Sequence, residues 1–231
     1  MPRDVGVVVV AAGEGTRLQG PVAKQYQPIA GVPMVLRAVR PFLSHPDVGR
    51  VVLVLPSPDA AAPPAFLEDL LGHRLVVASG GATRSDSVAA GLRALDDSSA
   101  VVLIHDGARP FVERNVIDAV IAHARRGESA IAAVPLTDTL KESAIADQSR
   151  IERTVPRERL WRAQTPQGFP RPVIAAAYAR AADEARPGTD DAELVERTGV
   201  VVRLVPDSSR NLKITTPEDL ALAELLAGTS P

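Results

Sequence analysis

The chain has 231 residues, with 26 Lys and Arg against 28 Asp and Glu, a formal charge of −2 at pH 7 and 45% hydrophobic residues. That length accommodates one large α/β domain or two small ones, and the near-neutral balance gives none of the basic excess of a nucleic-acid binder. There is no cysteine, hence no disulfide or thiolate metal site, and the apolar stretch near the start is too short to span a membrane and has no signal-cleavage pattern, so a cytoplasmic protein touching neither membrane nor nucleic acid is expected.

The first element is the β-branched run of residues 7–10, read as a buried strand, which ends in Ala11-Ala12-Gly13-Glu14-Gly15-Thr16-Arg17-Leu18. Small residues and two glycines let backbone N–H groups approach a ligand, and the fixed cations Arg17 and Lys24 could converge there on a polyphosphate. Gly13 and Gly15 match the first two glycines of the dinucleotide fingerprint. Leu18, however, stands in place of the third, no ribose-binding acid follows a second strand, and the G-x-x-x-x-G-K-[ST] pattern is absent. The stretch is therefore a phosphate-binding loop of another kind, or only a turn.

Residues 34–43 have helical apolar spacing, 50–55 form a second strand, and 66–71 a short helix beyond the breaker Pro63-Pro64. A third strand at 75–78 ends in Gly80-Gly81-Ala82-Thr83-Arg84 and leads to a helix at 85–95 with Thr83 or Ser85 as its N-cap. A fourth strand at 101–104 is cut off by His105-Asp106-Gly107-Ala108-Arg109-Pro110. A helix at 115–124 and a strand at 130–134 follow. Residues 136–165 break the rhythm: they are polar, with short β-like pieces at 139–141 and 151–155, and are either disordered or an arm that packs on a partner subunit. Beyond them come a helix at 172–182, Thr189-Asp190-Asp191-Ala192 capping a helix to 198, a strand at 200–205, an extended piece at 211–215, a helix at 217–226 with Thr216 as N-cap, and a frayed end from 227. Without linker or repeat, this alternation points to a single α/β domain over residues 1–231 on a mostly parallel sheet.

Ligands bind where parallel strands end, which draws attention to Asp106, near the Gly13 loop if the two strands are close. An Asp there also serves as a cap or turn former. Arg109, Arg157 and Lys213 are further cations, each alone an ordinary surface charge, although Leu212 and Ile214 would fix the direction of Lys213 in an extended piece. Thr139, Thr165 and Thr189 are hydroxyls suited to phosphate or to capping, and His45, His73 and His123 receive no role.

Eight motifs in order carry a resemblance: Val10 to Arg17, Lys24-Gln25-Tyr26, Gly80-Gly81 with Arg84-Ser85-Asp86-Ser87-Val88, His105 to Pro110, Asp138-Thr139-Leu140-Lys141, Gln164-Thr165-Pro166-Gln167, Thr189-Asp190-Asp191-Ala192 and Asn211-Leu212-Lys213-Ile214-Thr215. Spanning nearly the whole chain, they resemble the 2-C-methyl-D-erythritol 4-phosphate cytidylyltransferases, enzymes of the non-mevalonate isoprenoid route. The resemblance implies a Rossmann-like nucleotidyltransferase domain, CTP and 2-C-methyl-D-erythritol 4-phosphate as substrates, a divalent metal, normally Mg2+, and a homodimer exchanging a β-arm at about 136–165. It carries Arg17 and Lys24 to transition-state stabilisation, and Arg157 and Lys213 to positioning the acceptor phosphate. Ala11, Ala12, Gly13, Gly81, Ser87 and Asp106 fall on the CTP side, Asp106 also on the metal, and Arg109, Thr139, Thr165 and Thr189 on the acceptor side. Val10, Ala82 and Gly107 depart from the family's usual proline, acidic residue and alanine, and Ala82 puts one ribose contact in question. Two rivals stand beside this reading: the related class that makes CDP-ribitol, and a catalytically silent nucleotide-binding module. Trp161-Arg162-Ala163-Gln164 and the Thr189 motif favour the isoprenoid enzyme over the first; four retained cations argue against the second.

Overall fold

The alternating Val, Leu and Ile runs supply the strands, and a computed structural model of the chain describes residues 3–13, 15, 18, 22–186 and 188–228. In chain order, β1 (Val5–Val10) is followed by a small hairpin of β2 (Pro28–Ile29) and β3 (Val32–Pro33), helix α1 (Met34–Leu43), β4 (Val48–Leu55), and the short helices α2 (Ser57–Ala61) and α3 (Ala65–Glu68). Then come β5 (Leu75–Ser79), α4 (Arg84–Ala94), β6 (Val101–Asp106), α5 (Arg114–Arg125) and β7 (Ser129–Pro135). The rest comprises β8 (Leu140–Ser143), β9 (Ile151–Val155), β10 (Trp161–Pro170), α6 (Arg171–Asp183), α7 (Asp191–Glu196), β11 (Val202–Pro206) and α8 (Pro217–Gly228).

Seven of these strands form one sheet in the order β11-β7-β10-β6-β1-β4-β5. All neighbours are parallel except β10, which runs antiparallel to both β6 and β7. Side chains alternate across each strand, so Val5, Val7 and Val9 of β1 pack with Val35, Val39 and Phe42 of α1 and Ile117 and Ile121 of α5. Val8 faces the other way, into a cluster with Val88 of α4, Ile174 of α6 and Leu194 of α7. A doubly covered sheet explains why the central strands are almost uninterruptedly apolar.

Three features differ from the sequence expectation. The fourth strand does not stop at residue 104: it runs through His105 and Asp106, which are both buried, so the polar pair ends the strand instead of following it. The segment 136–165 is not one excursion. Within it, β8 and β9 pair apart from the main sheet, as an exposed antiparallel hairpin, whereas Trp161, Arg162 and Ala163 pair with β7. Strand β10 escaped notice because its polar residues suggest a loop, yet Gln164, Thr165 and Gln167 are buried and have hydrogen-bonding partners. The piece 211–215, expected only to be extended, joins no sheet; its backbone is tied down by Ile214 N–H donating to the Ala108 carbonyl at 2.9 Å.

Candidate active site

β1 and β6 are adjacent and parallel, and their register pairs Val10 with Asp106. The loop leaving β1 and the carboxylate ending β6 are therefore neighbours at the carboxyl edge, where open α/β sheets bind ligands. A cleft of about 420 Å³ opens there. One wall is Val10, Ala11, Ala12, Gly13 and Gly15; a second is Gly81, Ala82, Thr83, Arg84 and Ser87; Asp106, Gly107 and Ala108 form the floor, and Lys24 and Lys213 enter from the sides.

Two glycines are needed for this shape. Gly15 has φ 62°, and a Cβ there would sit 2.5 Å from Lys24 Cβ, so the loop can pass over the lysine stem only without a side chain. A Cβ on Gly80 would lie 2.3 Å from the Ala12 methyl, so its absence lets the two walls meet. The second wall is fixed by a capping box at the start of α4: Thr83 accepts from Asp86 N–H, and the Asp86 carboxylate accepts from Thr83 N–H. Thr83, not Ser85, is thus the cap. Ser87 Oγ donates to the Thr83 carbonyl at 3.0 Å and accepts from Gly81 N–H at 3.2 Å.

Asp106 is the electrostatic centre. Lys213 Nζ is 2.9 Å from Oδ2, Arg84 Nε 3.3 Å from Oδ1, and Arg109 Nε 3.6 Å from Oδ2. Burial alone would raise its pKa, but Arg84, Lys213 and Arg109 together outweigh that and hold the carboxyl far below the usual range. Asp106 is therefore a permanent anion set among cations.

Beneath it lies a hydrogen-bond relay with a defined polarity. His105 is fully buried, and burial pushes its pKa down to about 4, so its ring is neutral. Its Nε2 lies 3.0 Å from the Arg109 carbonyl and must donate there, which leaves Nδ1 to accept from the Thr165 hydroxyl at 2.9 Å. Thr165 Oγ1 in turn accepts from Asp106 N–H at 3.0 Å. Arg109 donates through Nη1 to the Asn211 carbonyl at 2.7 Å, and Asn211 Nδ2 donates to the Thr165 carbonyl at 2.8 Å, so the segment that carries Lys213 is anchored to the same relay.

Of the residues singled out from sequence, Ala11, Ala12, Gly13, Lys24, Gly81, Ser87, Asp106 and Lys213 line one cleft. Arg17 lies outside the described residues. Arg109 and Thr165 do not line the cleft; both are buried below it with their polar groups engaged. Thr189 is exposed and donates to Glu193 Oε2 at 2.8 Å. Thr139 and Arg157 belong to the arm region: Thr139 is exposed just before β8, and Arg157, just after β9, donates through Nη1 to the Thr137 carbonyl. Arg84, His105 and Asp191 lie inside sequence motifs, yet their types and spacing alone give them no role. Tyr178 had no signal at all; it stands on α6 and donates to Asp191 Oδ1 at 2.6 Å.

Comparison with known proteins shows the family and the fold. A family model described as "IspD: 2-C-methyl-D-erythritol 4-phosphate cytidylyltransferase" matches residues 5–228. The chain is 42% identical over 231 residues to the 2-C-methyl-D-erythritol 4-phosphate cytidylyltransferase of Syntrophus aciditrophicus, covering 97% of this chain and 96% of the relative. Among solved structures it is similar to 4-diphosphocytidyl-2C-methyl-D-erythritol synthase from Anaerococcus prevotii (TM-score 0.85, 28% identity, 97% and 96% coverage). It is also similar to the 2-C-methyl-D-erythritol 4-phosphate cytidylyltransferase of Thermus thermophilus (TM-score 0.79, 34% identity, 96% and 98% coverage).

Proposed function

The chain belongs to the 2-C-methyl-D-erythritol 4-phosphate cytidylyltransferase family, and from that premise we propose how its residues divide the work of the reaction. The enzyme transfers a cytidylyl group from CTP to 2-C-methyl-D-erythritol 4-phosphate, giving 4-diphosphocytidyl-2-C-methyl-D-erythritol and pyrophosphate. An acceptor phosphate oxygen forms a bond to the α-phosphorus of CTP while the bond from that phosphorus to the bridging oxygen breaks and pyrophosphate leaves. The nucleophile is already ionised, so no general base is required. The obstacle is repulsion between two anions and charge gathering on the α-phosphoryl oxygens.

The observation that carries the reading is a set of cations held in place before substrate arrives: Lys24, Arg84 and Lys213 share the cleft with ionised Asp106. Lys24, with Arg17 by sequence, meets charge on the α-phosphoryl group. At about 4 Å and an effective dielectric near 20, one such contact is of order 4 kcal/mol before desolvation is subtracted. Ala11, Ala12, Gly81 and Ser87 receive the cytidine, with Gly13 on the same CTP side. Lys213 and Thr189 face the acceptor, with Arg157 and Thr139 supplied by a partner subunit's arm. Arg109 and Thr165, buried below, act on the acceptor side through Asn211 and Asp106.

Mg2+ fits this donor set in one way. Among the described residues no group of three or more His, Cys, Asp or Glu could hold a metal. Asp106 offers a single carboxylate, surrounded by cations that would repel a bare metal ion. Magnesium binds through few carboxylates when substrate phosphates complete its shell, so Asp106 would hold an ion that comes with the triphosphate and screens its charge.

The homodimer rests on the arm. β8 and β9 are solvent-exposed, with Leu140 partly and Ile151 and the intervening Ile145 largely open to solvent, and a two-stranded hairpin is marginal alone in water. A partner subunit would cover it. No described helix is long and apolar enough to cross a membrane. The test of the whole reading is pyrophosphate release from CTP with methylerythritol phosphate against ribitol 5-phosphate: strong preference for the first supports it, and equal or reversed preference contradicts it.

A further inference from the structure

The mechanism above leaves two polar groups behind the cleft without a task. Asp191 is fully buried, and the half-buried Tyr178 aims its hydroxyl at it. We propose that Asp191 and Tyr178 are positioning residues for nucleotide binding: together they hold the Arg84 guanidinium stretched across the cleft, and through it they set the direction of the Asp106 carboxylate.

Arg84 donates from Nη2 to Asp191 Oδ2 at 2.7 Å and from Nε to Asp106 Oδ1 at 3.3 Å. Tyr178 occupies the other Asp191 oxygen, at 2.6 Å, so Asp191 cannot turn away without losing a short bond. The backbone around Asp191 is also clamped. Gln167 donates to Asp190 Oδ2 at 2.9 Å and accepts from Ala192 N–H at 3.0 Å. Gln167 in turn pairs in register with Ile104, on the strand that ends in Asp106. The strap therefore closes on itself: β6 to α4 through Asp106 and Arg84, α4 to α7 through Arg84 and Asp191, and α7 back to the sheet through Gln167.

This arrangement has a chemical consequence. An arginine beside a carboxylate frequently takes both oxygens in a bidentate pair. Here Asp191 draws the far end of the guanidinium away, so Arg84 engages Asp106 only at Oδ1 and leaves Oδ2 to Lys213. Arg84 also lines the cleft, which puts its guanidinium within the space a nucleotide would occupy. Removing one partner of a buried ion pair also costs stability, so the strap's positioning role is read from kinetics, from affinity and from their coupling to Arg84.

The experiment, which rests on the functional reading above, is a double-mutant cycle. Tyr178→Phe keeps the ring and removes only the hydroxyl. It leaves one oxygen of the buried Asp191 carboxylate without its donor, so it is expected to lower the melting temperature modestly and, in protein shown by circular dichroism to be folded, to lower kcat/KM for CTP roughly tenfold and weaken CTP binding in calorimetry similarly. Asp191→Asn should cost more. In an Arg84→Ala background, Tyr178→Phe should have no further effect, because the group it orients is gone. The same tenfold loss in that background, or wild-type kcat/KM and CTP affinity for Tyr178→Phe, would overturn the proposal. A wild-type chain that bound CTP without turning it over with methylerythritol phosphate would refute the functional reading alone, while the affinity cycle would still decide the strap.

Discussion

Lys213 and Asp106, joined at 2.9 Å between Nζ and Oδ2, tie the segment before α8 to the end of β6. The contact matters because the other carboxylate oxygen belongs to Arg84, so cations reaching the cleft from two different parts of the chain share one anion. Replacing Asp106 by Asn should then do two things. It leaves Arg84, Lys213 and buried Arg109 without their common counterion, costing roughly 1–3 kcal/mol, at the lower end because Lys213 and Arg84 are partly solvated. It also removes the only carboxylate proposed for the metal, so kcat should fall at least about tenfold even at saturating Mg2+. Urea denaturation and steady-state kinetics on the same preparation check both; unchanged kcat with lower stability would make Asp106 purely structural.

A second expectation concerns pH. His105 has a pKa pushed down to about 4, chiefly by burial, which outweighs the Arg109 carbonyl and the Asp106 charge that favour its protonation. Its folded pKa thus lies below the ordinary value near 6.5, and the unfolded chain takes the proton first. Its contribution is complete above about pH 6.5 and is lost as pH falls towards about 4, by roughly 2 kcal/mol at about pH 5 and on the order of 3 kcal/mol by about pH 4. Asp106, whose pKa is depressed, adds its own loss only below about pH 4, so the two windows separate. Denaturation midpoints at about pH 7.5 and pH 5 measure the effect, and His105→Gln should flatten that difference. A wild-type slope that survived in the variant would assign it elsewhere.

The contrast between what the sequence disclosed and what it hid has a physical cause. Helix α1 coincides with the expected 34–43 because its apolar residues recur at helical spacing and face one core. Asp106 was legible because a polar residue at the end of an apolar strand stands where ligands bind. β10 was not, since Gln164, Thr165 and Gln167 look like loop residues until their buried hydrogen bonds are seen. Arg109 drew notice as a surface cation, but the residue is only 8% exposed and its guanidinium is held by the Asn211 carbonyl. Charge is visible in a sequence; whether a charge is already spent depends on partners far along the chain, as with Arg84 and Asp191.

The arm gives a third expectation. If Arg157 completes a neighbour's acceptor site, each site needs residues from two chains. Mixing inactive Arg157→Ala subunits with inactive Lys24→Ala subunits should restore activity, because a heterodimer contains one site with both residues intact. Sedimentation should show a dimer, and deleting 140–155 should yield monomers with greatly reduced turnover. Full activity from a monomeric protein would refute the shared site.

The most direct measurement is the steady-state kinetics of Lys24→Ala beside Lys213→Ala, with circular dichroism to show that both are folded. Lys24 is assigned to charge that grows only as the α-phosphorus is attacked, so its loss should lower kcat by roughly 10²–10³ and leave KM for methylerythritol phosphate nearly unchanged. Lys213 is assigned to holding the acceptor in both ground and transition states, so its loss should raise that KM substantially, with KM for CTP barely moved and some fall in kcat from misalignment. The contradicting result is a Lys24→Ala enzyme with intact kcat whose only defect is weaker acceptor binding.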